Sequence, residues 1–129
     1  MLMVVEDASV RVDALLLDGA ARALLAVANL HAPELIDAEL LSVLRRLVLA
    51  ERLSEQHALQ ALATSQRLGL RRHVSRHLWL RACELRCNHS AYDTIYVALA
   101  ERLGATLLTA DARAALAPGL CCAVDVLAP

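Results

Sequence analysis

The chain opens on a short apolar run, residues 2–5, that stops at two acids, Glu6 and Asp7, a pattern that predicts a buried strand. Residues 8–17 follow on helical spacing, with Asp7 in N-cap position and Asp18-Gly19 closing the segment. A second helix is predicted over 20–28, an extended segment over 30–33, the longest helix over 34–50 and a shorter one over 55–64. Residues 70–74 read as a strand, 76–86 as a helix, and 90–103 as a helix with Gly104 just past its end. The remainder reads as a strand at 105–109, a short helix at 112–116 and a last strand at 121–126. Short apolar strands alternating with helices predict an α/β fold, a central and mostly parallel β-sheet flanked by helices. At 129 residues the chain suits one domain with a single core, spanning 1–129.

Composition changes that picture in two ways. Leu (28) and Ala (25) dominate the chain, which favours helix but blurs every periodicity, because Ala fits either face. Hydrophobic residues make up 58% of the whole, yet the longest stretches without Asp, Glu or Arg are 11 residues, at 23–33, 56–66 and 114–124. A spanning helix needs ~20 apolar residues, so no segment is expected to cross a bilayer. The start has no basic region before an apolar run, so no secretory signal is expected. The four cysteines, Cys83, Cys87, Cys121 and Cys122, then read as reduced thiols of a cytoplasmic protein.

All 13 basic residues are Arg. The absence of Lys excludes a P-loop lysine, a Schiff-base lysine and the lysine of a phospho-receiver domain, the last of which Glu6-Asp7 after a first strand would otherwise suggest. The net charge of −1 hides a pattern: residues 1–44 carry 7 acids and 2 Arg, residues 45–86 carry 3 acids and 9 Arg, and residues 87–129 carry 4 acids and 2 Arg. A basic middle between acidic ends suits either a solvated helical surface or a phosphate-binding patch.

Three acids occupy positions where an open parallel sheet gathers functional groups, at the carboxyl ends of strands and the N-termini of helices. Asp7 follows the first strand, Asp111 follows Leu107-Leu108-Thr109-Ala110, and Asp93 lies in the first turn of the helix opened by Ser90. Each has an ordinary reading as a cap, Asp7 and Asp111 as N-caps and Ser90-Ala91-Tyr92-Asp93 as a capping box. Capping gives no reason for the three to meet. A fourth acid is expected from the helix over 34–50, where Glu39 lies at the border of the apolar arc and Asp37 inside it. Periodicity alone slightly favours Asp37.

Four segments resemble the PIN-domain ribonucleases, specifically the VapC-type toxins of bacterial toxin–antitoxin pairs. They are residues 4–10 (VVEDASV), residues 33–41 (PELIDAELL) with Arg45-Arg46 behind them, residues 84–101 (ELRCNHSAYDTIYVALAE) and residues 107–113 (LLTADAR). The third and fourth are the most specific, and the order and spacing of the four extend over nearly the whole chain. The resemblance implies a PIN-like fold and an acidic quartet of Asp7, Glu39, Asp93 and Asp111, choosing Glu39 over Asp37. Ser9 and Thr109 match hydroxyl positions beside the site. Glu6 stands where the family usually has an uncharged residue and is expected to point to solvent; Thr94 stands where Ala is common.

Four carboxylates brought together raise one another's pKa unless a cation neutralises them, and an all-oxygen site suits Mg²⁺ or Mn²⁺. The implied activity is metal-dependent endoribonuclease hydrolysis of RNA, tRNA or rRNA, leaving 5′-phosphate and 3′-hydroxyl ends and inhibiting translation. Asp7 and Asp93 are assigned as direct metal ligands, with Glu39 and Asp111 acting through water or orienting the nucleophile. Arg86 and Arg113 are candidate phosphate contacts. The resemblance also implies a VapB-type antitoxin partner and a homodimer. The rival reading is a catalytically inactive PIN-like interaction module. A zinc site at His73, His77, Cys83 and Cys87 departs from common ligand spacings, and His31, His57 and His89 read as surface or capping residues.

Overall fold

The computed structural model describes residues 1–87, 91–116 and 118–128. Strand β1 (Met3–Glu6) leads into α1 (Ala8–Leu16) and α2 (Ala20–Leu25); β2 (Asn29–Pro33) leads into the long α3 (Leu35–Leu49) and α4 (Glu55–Arg67). After β3 (Arg71–His73) a 3₁₀ turn (Arg76–Leu78) runs into α5 (Trp79–Glu84). The chain continues through α6 (Ala91–Leu103), β4 (Thr106–Thr109), α7 (Arg113–Leu116) and β5 (Val124–Val126). All strand pairs are parallel, in the order β3-β2-β1-β4-β5.

Several boundaries differ from the sequence reading. The second helix stops at Leu25 rather than residue 28, and the helix predicted over 76–86 divides into the 3₁₀ turn and α5. The terminal strand is Val124–Val126 only, because pairing with β4 is confined to three positions of register. The predicted capping residue Ser90, and His89 with it, lie outside the described residues.

The sheet is covered on both faces, as parallel sheets require. Because side chains alternate along a strand, Val5 and Leu107 face one layer, where they pack with Tyr96, Val97 and Leu99 of α6. Val4 and Leu108 face the other and pack with Val10 and Ala14 of α1 and Leu25 of α2. A third cluster, Leu40 and Leu44 with Ala58 and Ala61, closes the α3–α4 hairpin.

Local sequence explains the ends that matter. The Ser54 hydroxyl accepts from the His57 N–H at 3.1 Å and starts α4. At the end of α6, Gly104 takes a φ of 62°, its N–H donates to the Glu101 carbonyl, and the Ala105 N–H donates to the Ala100 carbonyl. This paired closure needs a left-handed residue, and it feeds the chain directly into β4.

The topology fixes where a site can form. The chain leaves β1 toward β2 on one side and returns to β4 on the other, so the connections diverge at the carboxyl ends of β1 and β4. That divergence opens the crevice in which α/β proteins bind ligands.

Candidate active site

Asp7 begins the site. Its N–H donates to the Leu108 carbonyl at 3.1 Å, tying the end of β1 to β4, and its Oδ1 accepts from the Val10 N–H at 3.1 Å as the cap of α1. Ser9 donates its hydroxyl to the same Oδ1 at 2.5 Å and accepts from the Ala110 N–H at 2.9 Å, bridging α1 to the loop after β4. The buried Thr109 hydroxyl also hydrogen-bonds Asp7 and accepts from the Asp111 N–H at 3.1 Å. The two hydroxyl residues beside the quartet therefore hold one acid and the backbone that carries another.

Glu39 enters from α3, with the Tyr96 hydroxyl donating to its Oε1 at 2.7 Å. Asp93 enters from the first turn of α6 and is exposed. Asp111 enters from the loop after β4, with both carboxylate oxygens held by Arg113. Asp7, Glu39, Asp93 and Asp111 all line one cleft of about 630 Å³ at the β1/β4 crevice. Asp37, which periodicity favoured, points away and pairs with Arg72 at the surface, with Nε to Oδ2 at 2.6 Å.

Charge is unevenly balanced across the cleft. Burial pushes the Asp7 carboxyl above its usual range, opposed by its bonds from Ser9, Thr109 and the Val10 N–H, and the Asp93 charge pushes it further. Burial likewise raises Glu39; the Tyr96 hydroxyl opposes the rise, while Asp93 and Asp7 add to it. Burial and the Glu39 carboxylate raise Tyr96, so its hydroxyl stays a donor. Asp111 moves the other way, held below its usual range by the Arg113 bonds.

The donor set suits a hard divalent ion. It is all oxygen, and two of its carboxyls are held above their usual range by burial and like charge, a strain that a cation relieves. Among the described residues no three His, Cys, Asp or Glu side chains stand close enough to cage an ion by themselves. That spacing is compatible with Mg²⁺, which is held by one or two carboxylates and keeps several waters. The set His73, His77, Cys83 and Cys87 forms no such cage either.

Two expectations are corrected. Glu6 does not point to solvent: it is 0% exposed and ion-paired with Arg11, whose Nε donates to Oε1 at 2.6 Å. Glu6 shares a strand face with Val4, so its side chain runs under α1, where Arg11 meets it and reaches on to the Ser65 hydroxyl of α4 at 3.5 Å. Burial pushes the Glu6 carboxyl up to about 7, against the opposing Arg11 charge. His31, read as a surface or capping residue, is buried, with its Nδ1 2.9 Å from Nε2 of His73 on β3.

Of the two arginines singled out, Arg113 lines the cleft, whereas Arg86 lies in the turn after α5, outside the lining, donating to the Cys83 carbonyl at 3.0 Å. Sequence reasoning missed the contact of Tyr96 with Glu39. Its signal was present, since Tyr96 lies three residues after Asp93 and therefore on the same face of α6. Cys87 also lines the cleft, and nothing in its spacing indicates this.

Comparison with known proteins identifies the family and the fold. The PIN domain family model matches residues 4–120. The chain is 49% identical over 111 residues to ribonuclease VapC9 of Mycobacterium tuberculosis, covering 86% of this chain and 87% of the relative. It is 42% identical over 128 residues to ribonuclease VapC1 of the same organism, covering 95% and 96%. The fold matches a chain in the crystal structure of VapBC2 from Rickettsia felis bound to a DNA fragment from their promoter. The TM-score is 0.70 at 15% identity, over 97% of this chain and 98% of that one. A cleft built from four acids at the β1/β4 crevice and a match spanning nearly every element lead to one conclusion: the chain belongs to the PIN-domain family and, within it, to the VapC ribonucleases.

Proposed function

We propose that the protein is a Mg²⁺- or Mn²⁺-dependent endoribonuclease toxin that hydrolyses phosphodiester bonds of tRNA or rRNA. The single observation that carries this reading is the convergence of Asp7, Glu39, Asp93 and Asp111 on one cleft from four different segments of the chain. A bound divalent ion would polarise the scissile phosphate and acidify the attacking water, so that a nucleophile is available at neutral pH. In this assignment Asp7 and Asp93 would hold the ion directly, and Glu39 and Asp111 would act through water or orient the nucleophile.

The chain's own residues support those roles. Asp7 is fixed by the Ser9 hydroxyl and the Val10 N–H, so its oxygens are placed before substrate arrives. Tyr96 keeps Glu39 turned into the cleft. Arg113, at the cleft rim, is positioned to meet a phosphate, and Arg86 would act only on RNA that extends past the cleft. Water attacks phosphorus, the bond to O3′ breaks, and the products carry a 5′-phosphate and a 3′-hydroxyl. Among the described aromatic side chains, ring stacking contributes little to this recognition, because the Tyr96 ring is buried in the core and Trp79 does not line the cleft. Shape and phosphate position would then select the RNA.

The kinship with VapC ribonucleases supports a VapB-type antitoxin partner and a cytoplasmic site of action. Trp79, Leu80 and Leu116, exposed by 62%, 84% and 84%, offer apolar surface for an antitoxin or a second copy in a homodimer. No helix among the described residues is long and apolar enough to cross a membrane. An inactive interaction module is the weaker reading, since it gives no reason for four acids to share a cleft.

Incubation with total tRNA and rRNA in Mg²⁺ or Mn²⁺, with EDTA and Asp93→Asn controls, tests the reading. Cleavage is expected to fall by about 10²-fold or more in both controls, on the scale of losing a group that stabilises the transition state. Cleavage unaffected by either control would overturn the site. Mapping of cleaved 5′ ends after induction in cells identifies the RNA.

A further inference from the structure

Among the described residues lining the cleft, four acids face one cationic side chain, Arg113. Its N–H and Nε both donate to Asp111 Oδ1 at 3.0 Å, and its Nη2 donates to Oδ2 at 2.9 Å. Two carboxylate oxygens offer about four lone-pair positions in all, so these three bonds leave little for any other partner. While they persist, Asp111 is occupied by a residue two positions along its own chain.

The contact is nonetheless easy to open. The Arg113 side chain is 90% exposed and that of Asp111 is 44% exposed, and exposed pairs of this kind are worth little. A guanidinium matches phosphate with the same planar two-pronged geometry that it presents to a carboxylate. A phosphate arriving in the cleft therefore offers Arg113 an equivalent partner, and Arg113 also senses the charge of Asp93 across the cleft.

We propose that Arg113 is a resident counter-ion which competes with the divalent cation for Asp111 and is drawn off by a substrate phosphate, so that RNA binding completes the cation site. This rests on the reading of the cleft as a site for a divalent ion and RNA. Linkage makes the coupling reciprocal: RNA tightens cation binding by the same factor by which the cation tightens RNA binding.

The test is calorimetric titration of Mn²⁺ into the wild-type protein, Arg113→Ala and Arg113→Lys, each with and without a saturating 5′-phosphorylated trinucleotide as a product-type ligand. Without the trinucleotide, Arg113→Ala is expected to bind Mn²⁺ about two- to fivefold more tightly than wild type, the scale of an exposed pair. The trinucleotide is expected to tighten Mn²⁺ binding in wild type and not in Arg113→Ala, with Arg113→Lys, which keeps the charge but loses the planar contact, in between. Arg102→Ala, at the exposed far end of α6, serves as a control that behaves as wild type. Equal or weaker Mn²⁺ binding by Arg113→Ala, or undiminished coupling in it, overturns the proposal while leaving the nuclease reading intact. Failure of wild type to bind Mn²⁺ at all overturns both.

Discussion

Two ion pairs stand at the carboxyl ends of neighbouring strands, Glu6–Arg11 behind β1 and Asp111–Arg113 beyond β4, and they differ almost completely in burial. The first is exposed by 0% and 1%, the second by 44% and 90%. The chemistry is the same, an Arg against a carboxylate a few residues away, so the difference lies in what surrounds it. Under α1 both side chains are out of reach of bulk solvent, so a lost partner is costly to replace, and the Glu6–Arg11 contact joins β1 to α1 and, through Ser65, to α4. In the cleft, water and phosphate are both at hand, and the Asp111–Arg113 contact is exchangeable. The protein keeps a fixed pair beneath its site and a tradeable one inside it.

The largest effect is expected from breaking the fixed pair on one side. Arg11→Ala leaves a buried carboxylate without its partner and should cost about 3–5 kcal/mol in urea unfolding. A change smaller than about 1 kcal/mol would mean that the pair does not act as a buried one. Removing both charges is the sharper variant: Glu6→Leu with Arg11→Met should restore most of that loss, because a well-packed apolar replacement of a buried pair is often neutral or stabilising by about 1–4 kcal/mol. A double variant as unstable as Arg11→Ala would show instead that side-chain shape decides.

Opening the tradeable pair should barely register in stability. Arg113→Ala is expected to leave the thermal midpoint within error of wild type while lowering RNA kcat/KM, and a clear fall in the midpoint would erase the contrast.

A separate effect, on pH dependence alone, concerns a part-buried polar contact with no opposite charge, His31 against His73. Burial and nearby charge, from His73 and Arg71 for His31 and from Arg71 for His73, hold both imidazoles below the usual histidine range. A lowered folded pKa means that the stability is present above the unfolded value of about 6.5 and is lost as pH falls through the folded values. Thermal midpoints measured from pH 7.5 to 5.5 should therefore decline by a few degrees in wild type and less in His73→Gln. Parallel curves would place the acid sensitivity elsewhere.

Much of the fold was legible because local chemistry dictates it. Asp7 caps α1 as its position predicts, and Gly104 closes α6 because only glycine takes that φ without strain. The strands around Val4-Val5 and Leu107-Leu108 were visible as apolar runs because both faces of a parallel sheet are buried. Boundaries failed where pairing partners decide them, as in β5, whose register with β4 begins only at Val124. Helical periodicity pointed to Asp37 over Glu39, because a helix that lines an acidic cleft no longer has its inward face defined by apolarity alone. In the structure Arg72 of β3, 35 residues away, takes Asp37, while Tyr96 turns Glu39 inward.

The sequence by itself determined an α/β chain with carboxylates at strand and helix ends, because periodicity, caps and turn residues act over a few neighbouring positions. It also narrowed the chemistry, since carboxylates at strand and helix ends, with no Lys and with His and Cys at spacings that depart from common zinc sites, point to hard-cation work. Only the tertiary structure decided that Glu6 is buried while Asp111 is exposed, and it turned Glu39 into the cleft, as the family resemblance implied and periodicity alone did not. Those outcomes depend on which distant residue arrives beside each carboxylate and on how much water remains there, and neither is a property of local sequence.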